Sequence, residues 1–74
     1  MAEKNPQHPT PTIILRRHAV QARTGLSRST IYLRVAQGTF PRPIPLGPRA
    51  VGWLEGEVEA WLQAQVASVR RSSD

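Results

Sequence analysis

The fold is decided by residues 24–34, Thr-Gly-Leu-Ser-Arg-Ser-Thr-Ile-Tyr-Leu-Arg, which combine a tight turn, a helix N-cap and an exposed basic helix face. Gly25 can adopt the positive φ that ends a short helix, and Ser27 can accept a hydrogen bond from a free amide of the next helix. In that second helix, a period of about 3.6 residues places Ile31 on the buried face and Leu33 at the centre of the opposite face. The stretch therefore predicts two helices joined by a tight turn, with one face anchored and the other free to bind a partner.

The chain is short, with 74 residues and no cysteine. A core of this size supplies only about 3 to 5 kcal/mol of stability. Neither a disulfide nor a thiolate metal site can add to it, which is compatible with a reducing cytoplasm. Because the sequence lacks an apolar run of roughly 20 residues, it predicts no membrane span, and residues 1–12 lack the apolar region of a signal peptide.

Positive charge is concentrated in the middle of the chain. The net charge is +5, yet the segment from residue 16 to residue 49 carries seven arginines and neither Asp nor Glu. The planar guanidinium suits phosphate oxygens and guanine edges. We therefore expect one basic face that binds nucleic acid, with a merely solvated basic surface as the alternative.

The chain begins with a segment that is predicted not to fold. Residues 1–12 hold three prolines among polar neighbours and are expected to form a disordered N-terminal arm. Residues 13–15, Ile-Ile-Leu, favour a short strand that pairs with a later hairpin. A helix of at most two turns is predicted from His18 to Arg23, with Ala19 and Val20 facing inward.

The second helix is predicted to span residues 28–37. Gly38 supplies a left-handed stop, and Pro41 prevents the helix from restarting. Leu26 is expected to fill the corner between the two helices, and Phe40 to fold back as a core aromatic.

A hairpin is predicted next. Prolines recur at every second residue from 41 to 45, so an extended strand there can pair along one edge only. Ile44 and Leu46 are expected to face the core, and residues 47–49, Gly-Pro-Arg, to form the turn. Residues 50–53 return as the second strand.

The last helix is predicted to begin near Leu54 or Glu55, or slightly later because Gly56 weakens a helix. Glutamates in its first turn and arginines at its end suit the helix dipole. The folded domain is expected to comprise residues 13–69, with residues 70–74 as a flexible C-terminal tail. The helix carries an apolar stripe formed by Leu54, Val58, Trp61, Leu62, Val66 and Val69.

The order strand, helix, turn, helix, hairpin, helix is that of a winged helix-turn-helix, a mostly α fold with a small antiparallel β-sheet. The chain also resembles the AlpA-like regulators of prophages and integrative elements, relatives of small phage excisionases with a MerR-like winged helix. The resemblance covers residues 13 to about 70. It rests on Thr24-Gly-Leu-Ser-Arg-Ser-Thr-Ile-Tyr, Gly38-Thr-Phe-Pro, Pro43-Ile-Pro-Leu-Gly-Pro-Arg-Ala-Val-Gly-Trp and Glu57-Val-Glu-Ala-Trp-Leu.

This resemblance implies binding to double-stranded DNA. The helix after Ser27 would enter the major groove, and residues 47–49 would be the wing on the backbone or minor groove. Such a protein is a bacterial or phage-encoded, nucleoid-associated factor of the cytoplasm that regulates transcription or acts as an excisionase, a recombination directionality factor. Its expected partners are a tyrosine recombinase (integrase) and further copies of itself, bound cooperatively on DNA.

The chain departs from the family pattern at two positions. Family members often carry a basic residue directly after the helix tyrosine, where this chain has Leu33 and moves the arginine to Arg34. Leu33 can touch a thymine methyl group but cannot hydrogen-bond a base, so the family's base preference does not carry over. An acidic residue before the valine of the first helix is replaced by Ala19, with little expected effect.

The predicted DNA-binding residues lie on the second helix and the hairpin. The serine and threonine among them also suit helix capping, Tyr32 also suits packing against the wing, and Arg34 also suits pairing with Glu55 or Glu57. The predicted set is Arg28, Ser29, Thr30, Tyr32, Leu33, Arg34, Arg42 and Arg49.

Other functions find less support in the residues. Trp53 and Trp61 fall on predicted buried faces, so we expect core packing rather than base stacking. His8 and His18 have no second ligand at a metal-binding spacing, and no converging polar groups suggest catalysis, so we predict no metal, no cofactor and no enzyme activity. An alternative is a protein-interaction adaptor that binds a recombinase or polymerase through the last helix. An RNA-binding domain is disfavoured, because the sheet offers no exposed aromatic platform.

Overall fold

The computed structural model describes residues 12–72, and the predicted arm lies outside the described residues except for Thr12. Three helices surround a small antiparallel sheet, which confirms a mostly α winged helix-turn-helix. The elements in chain order are β1 (Ile14–Leu15), α1 (Arg17–Thr24), α2 (Arg28–Gln37), β2 (Ile44–Gly47), β3 (Ala50–Leu54) and α3 (Glu55–Ser72). The hairpin of β2 and β3 with its turn at residues 48–49 is called the wing below.

The turn between α1 and α2 forms as predicted. Gly25 has φ 75° and donates its backbone N–H to the carbonyl of Gln21 at 2.8 Å, which ends α1. Ser27 Oγ accepts a hydrogen bond from the Thr30 amide at 3.2 Å and so caps α2. The bounds of α2 agree with the prediction, and Gly38 ends it with φ 76°. α1 is one residue longer at each end than predicted.

The sheet has the order β1–β3–β2, so β3 is central. Leu15 pairs with Trp53, which confirms that the first strand joins the hairpin. Among the described strands β2 pairs only with β3, as the proline spacing predicts. The expectation that Leu46 faces the core is wrong, since 44% of its surface is exposed. The register shifts between Pro45 and Gly47, and this irregularity breaks the alternation of the strand.

The core lies where α1, α2 and α3 meet the inner face of the sheet. Its buried members include one residue from almost every element: Leu15, Val20, Ile31, Phe40, Trp53 and Val58. The two tryptophans also fix the segment between α2 and β2, because the Trp53 indole donates to the Pro41 carbonyl at 2.9 Å and the Trp61 indole to the Thr39 carbonyl at 2.7 Å. Core packing is confirmed for Trp53, while Trp61 is half-buried against the core and contacts the Phe40 ring.

α3 begins at Glu55, whose amide donates to the carbonyl of Ile13 at 2.9 Å. Gly56 therefore does not delay the start. The predicted apolar stripe packs on the core only in its first half, where Val58 is buried and Trp61 and Leu62 are half-buried. Val66 is 44% and Val69 is 66% exposed. The helix continues to Ser72, so Arg70 and Arg71 lie in its last turn rather than in the expected flexible tail.

Candidate nucleic-acid interface

A cleft of about 540 Å³ opens between the start of α1, the exposed side of α2 and the wing. We call it the basic cleft. It contains four guanidinium groups and an imidazole, and no carboxylate of the described residues lines it. Such a group of like charges concentrates positive potential and suits an anion such as a phosphate. Its lining comprises Arg16, Arg17, His18, Arg28, Tyr32, Arg49 and Val51.

The start of α1 is attached to the wing by a side-chain hydrogen bond. Arg16 Nε donates to the Val51 carbonyl at 3.1 Å, and Arg17 Nε donates to Gln21 Oε1 at 3.2 Å. Arg16 occupies the N-cap position but makes no side-chain cap hydrogen bond. The amides of the first turn of α1 therefore have no cap from this side chain, and their partial positive charge adds to that of the arginines.

Tyr32 lines the basic cleft and connects α2 to the wing. Its ring packs edge to face against that of Trp53, and the Arg28 guanidinium carbon lies 6.0 Å from its centroid. This separation is within the range of a cation–π interaction. Tyr32 thus packs against the wing, which is the alternative role expected for it, and it also lines the basic cleft with 37% of the residue exposed.

The predicted hydroxyl residues at the start of α2 take part in its cap. Ser27 Oγ donates to Thr30 Oγ1 at 2.9 Å and lies 3.4 Å from Ser29 Oγ. Thr30 is half-buried, whereas Ser29 is exposed. Their geometry is therefore that of capping, and only Ser29 is fully open to a partner.

The remaining predicted residues lie outside the basic cleft. Leu33 is 57% exposed on α2, and Arg42 is exposed in the extended segment before β2. Arg34 turns toward α3, where its guanidinium carbon lies 5.9 Å from the centroid of the Trp61 ring. Its Nε is buried without a hydrogen-bond partner among the described residues, and no ion pair with Glu55 or Glu57 forms there. The structure thus groups Arg28, Tyr32 and Arg49, and separates Arg34 from them.

Arg23 contributes little to the basic surface, because it is paired with acids of α3. Its guanidinium lies 2.8 Å from a Glu55 oxygen and 3.5 Å from a Glu59 oxygen. The hydrogen bond to Glu55 raises the pKa of Arg23 above its ordinary value. The acids at the start of α3 therefore neutralise this arginine on a side of α1 other than the cleft.

Sequence reasoning missed three basic residues of the basic cleft, Arg16, Arg17 and His18. The two arginines enter the charge count of the segment, but none of the three is assigned to the binding site. Their adjacency at the start of a helix is a usable signal, since first-turn amides and cationic side chains favour the same anion. This adjacency does not indicate, however, that the three residues face α2 and the wing.

Two negative findings apply to residues 12–72. Within that range no group of three or more His, Cys, Asp or Glu side chains is arranged to hold a metal ion. None of the helices found there has the length and apolar character needed to cross a bilayer.

Comparison with known proteins gives consistent matches. Residues 13–66 match the profile of a family described as prophage CP4-57 regulatory protein (AlpA). A protein of Enterobacteria phage P4, "Uncharacterized protein ORF88", is 40% identical over 77 residues, which cover 99% of the chain and 88% of the phage protein. The "DNA-binding transcriptional activator AlpA" of Escherichia coli (strain K12) is 42% identical over 55 residues, which cover 66% of the chain and 79% of that activator.

Proposed function

The chain belongs to the AlpA family of prophage regulatory proteins, and on that premise we propose that it binds double-stranded DNA sequence-specifically. In this proposal α2 enters the major groove and the wing contacts the backbone or minor groove. The observation that carries it is the basic cleft, which adjoins the exposed side of α2 and joins it to the wing. A phosphate seated there would fix the register of α2 on the duplex.

The positions of the predicted contacts support distinct roles. Arg28 and Arg49 line the basic cleft from α2 and from the wing turn, as expected for contacts to phosphate. Tyr32 lines the same cleft, with its ring packed against that of Trp53. Arg42 is a candidate for a further backbone contact. Arg34 is the weakest candidate, because its side chain packs on α3.

Binding of a random-sequence duplex, a single strand and a hairpin RNA at matched salt tests the proposal. We expect the duplex to bind most tightly. If the four arginines of the basic cleft meet phosphates, log K should fall against log salt with a slope of roughly −3 to −4. Equal binding of all three nucleic acids, or a slope near zero, would contradict it.

The biological role that we propose is regulation of transcription or excision of a prophage or integrative element. The family description and the name of the E. coli relative support the first of these roles. An excisionase would need an integrase as its partner, so a recombination assay with the cognate integrase separates the two. Excision that depends on this protein would identify a directionality factor, and a changed promoter activity without excision would identify a regulator.

Cooperative binding of several copies is part of the same proposal. One domain of this size covers only about 600 to 1,000 Å² on DNA and reads few bases. Affinity should therefore rise when a second site is added at the correct spacing. Strictly independent occupation of tandem sites would argue against self-association.

The adaptor alternative is favoured by the uncovered second half of α3. Val66 and Val69 lie on its exposed apolar side and offer a surface for a recombinase or polymerase. If that surface is the functional one, Val66→Glu combined with Val69→Glu should abolish activity in cells while duplex binding stays unchanged. Retained activity in this variant would eliminate the alternative.

A further inference from the structure

We propose that the protein selects A·T base pairs through Leu33 and Gln37 of α2, an inference that rests on the proposed binding of duplex DNA. Leu33 and Gln37 are exposed and follow Ser29 at intervals of four residues. Residues four apart lie above one another on a helix, so the three form one line that we call the α2 ridge.

The α2 ridge carries neither of the two side chains that usually read guanine. Reading guanine in the major groove usually takes a bidentate Arg or Lys. Neither arginine of α2 belongs to this line: Arg28 lies beside the Tyr32 ring in the basic cleft, and Arg34 lies beside Trp61. The base edges opposite the α2 ridge would therefore meet an apolar side chain and an amide rather than a guanidinium.

Leu33 matches the one apolar group in the major groove. Its side chain is the most exposed large apolar one on α2, at 57%. The thymine C5-methyl is the only hydrocarbon that a base pair presents on that edge, and burying the two against each other is favourable. A leucine at the centre of the reading face therefore favours thymine over cytosine.

Gln37 supplies the complementary polar contact. It is the last residue of α2, and its exposed side chain forms no hydrogen bond with any described residue. The backbone at the end of α2 is fixed by a hydrogen bond, because the Gly38 amide donates to the Val35 carbonyl at 3.0 Å. A glutamine amide can both accept from adenine N6 and donate to adenine N7.

The four-residue interval between Leu33 and Gln37 allows both side chains to contact the same DNA site. Four residues correspond to roughly 6 Å along α2, which is about two base-pair steps of duplex DNA. Leu33 and Gln37 would therefore contact base pairs that are near neighbours but not the same pair. The α2 ridge then specifies two A·T pairs close together.

Selection from a random duplex library, followed by affinity measurements on the selected site, tests this inference. The wild type should enrich A·T at the positions under α2. Replacing the contacted thymine by uracil, which lacks the methyl group, should weaken wild-type binding roughly four-fold and leave Leu33→Ala unaffected. Gln37→Ala should lose at least about five-fold on the selected site and much less on random DNA.

Gln63→Ala removes the same amide from an exposed position on α3 and should bind as the wild type does. Enrichment of G·C under α2, or an equal uracil effect in the wild type and Leu33→Ala, would overturn the inference while duplex binding stands. Absence of duplex binding by the wild type would instead refute the proposed function on which it rests.

Discussion

The rings of Tyr32 and Trp53 pack edge to face, with their centroids 6.1 Å apart and their planes at 63°. Tyr32 belongs to α2 and Trp53 to the central strand, so this contact holds the helix that would read the bases against the wing. Such a pair contributes about 0.5 to 1.5 kcal/mol beyond the area that it buries. Because Trp53 is fully buried and its indole donates to Pro41, the position of the Tyr32 ring is set by the core.

The Tyr32 ring and hydroxyl are therefore expected to have separate roles. Tyr32→Phe keeps the ring contact and should leave the melting temperature unchanged while weakening duplex binding, since a hydrogen bond to a charged phosphate contributes about 1.5 to 3 kcal/mol. Tyr32→Ala should lower both. Thermal unfolding and fluorescence anisotropy check this pair. A destabilised Tyr32→Phe would show that the hydroxyl serves the fold instead.

Arg49 at the wing turn should contact a DNA phosphate and should therefore strengthen binding equally on every base sequence. Arg49→Ala is expected to make the slope of log K against log salt shallower by about 0.9 on every duplex, as for the loss of one phosphate contact. Arg71→Ala removes the same charge from the last turn of α3, which does not line the basic cleft, and is the matched control. Equal slopes for Arg49→Ala and Arg71→Ala would place the wing turn away from the DNA.

Gly52 and Gly56 are expected to respond oppositely to alanine. A Cβ at Gly52 would overlap Ile14 Cγ2 and lie 3.1 Å from the Leu15 carbonyl oxygen, so Gly52→Ala should cost about 1 to 3 kcal/mol. A Cβ at Gly56 meets nothing within 4 Å, and Gly56→Ala should stabilise the protein by about 0.4 to 1 kcal/mol. Urea denaturation of both variants measures the difference. Destabilisation by Gly56→Ala would mean that the start of α3 is not helical.

Trp61 should matter to stability although it is only half-buried. Trp61→Ala removes the indole that donates to the Thr39 carbonyl and packs against Phe40, and should cost about 3 kcal/mol, most of the stability of so small a domain. Trp61→Phe keeps an aromatic ring and should cost less. Val69→Ala, on the exposed end of α3, should change little. A Trp61→Ala protein that melts like the wild type would reject this account.

Local signals determined the helix-turn-helix. Gly25 and Gly38 adopt positive φ and end α1 and α2, and Ser27 caps α2, all through contacts within a few residues. These helix ends and this cap depend on backbone sterics and on hydrogen bonds to nearby residues, so the sequence alone predicts them. The proline spacing likewise identified β2 as an edge strand. A proline has no backbone N–H to donate to a neighbouring strand, whatever the fold around it.

The pairing of β1 with the hairpin was predictable, but the side-chain contacts that form the basic cleft depend on how distant elements pack. The sequence places Arg16 beside a helix start, but only folding brings it to Val51 and makes it a wall of the basic cleft. Helical periodicity could not show that Arg34 turns to Trp61, or that Val69 stays 66% exposed on the apolar side of α3. Periodicity fixes which side of an element a residue occupies, whereas its neighbours on that side depend on the length and packing of the other elements.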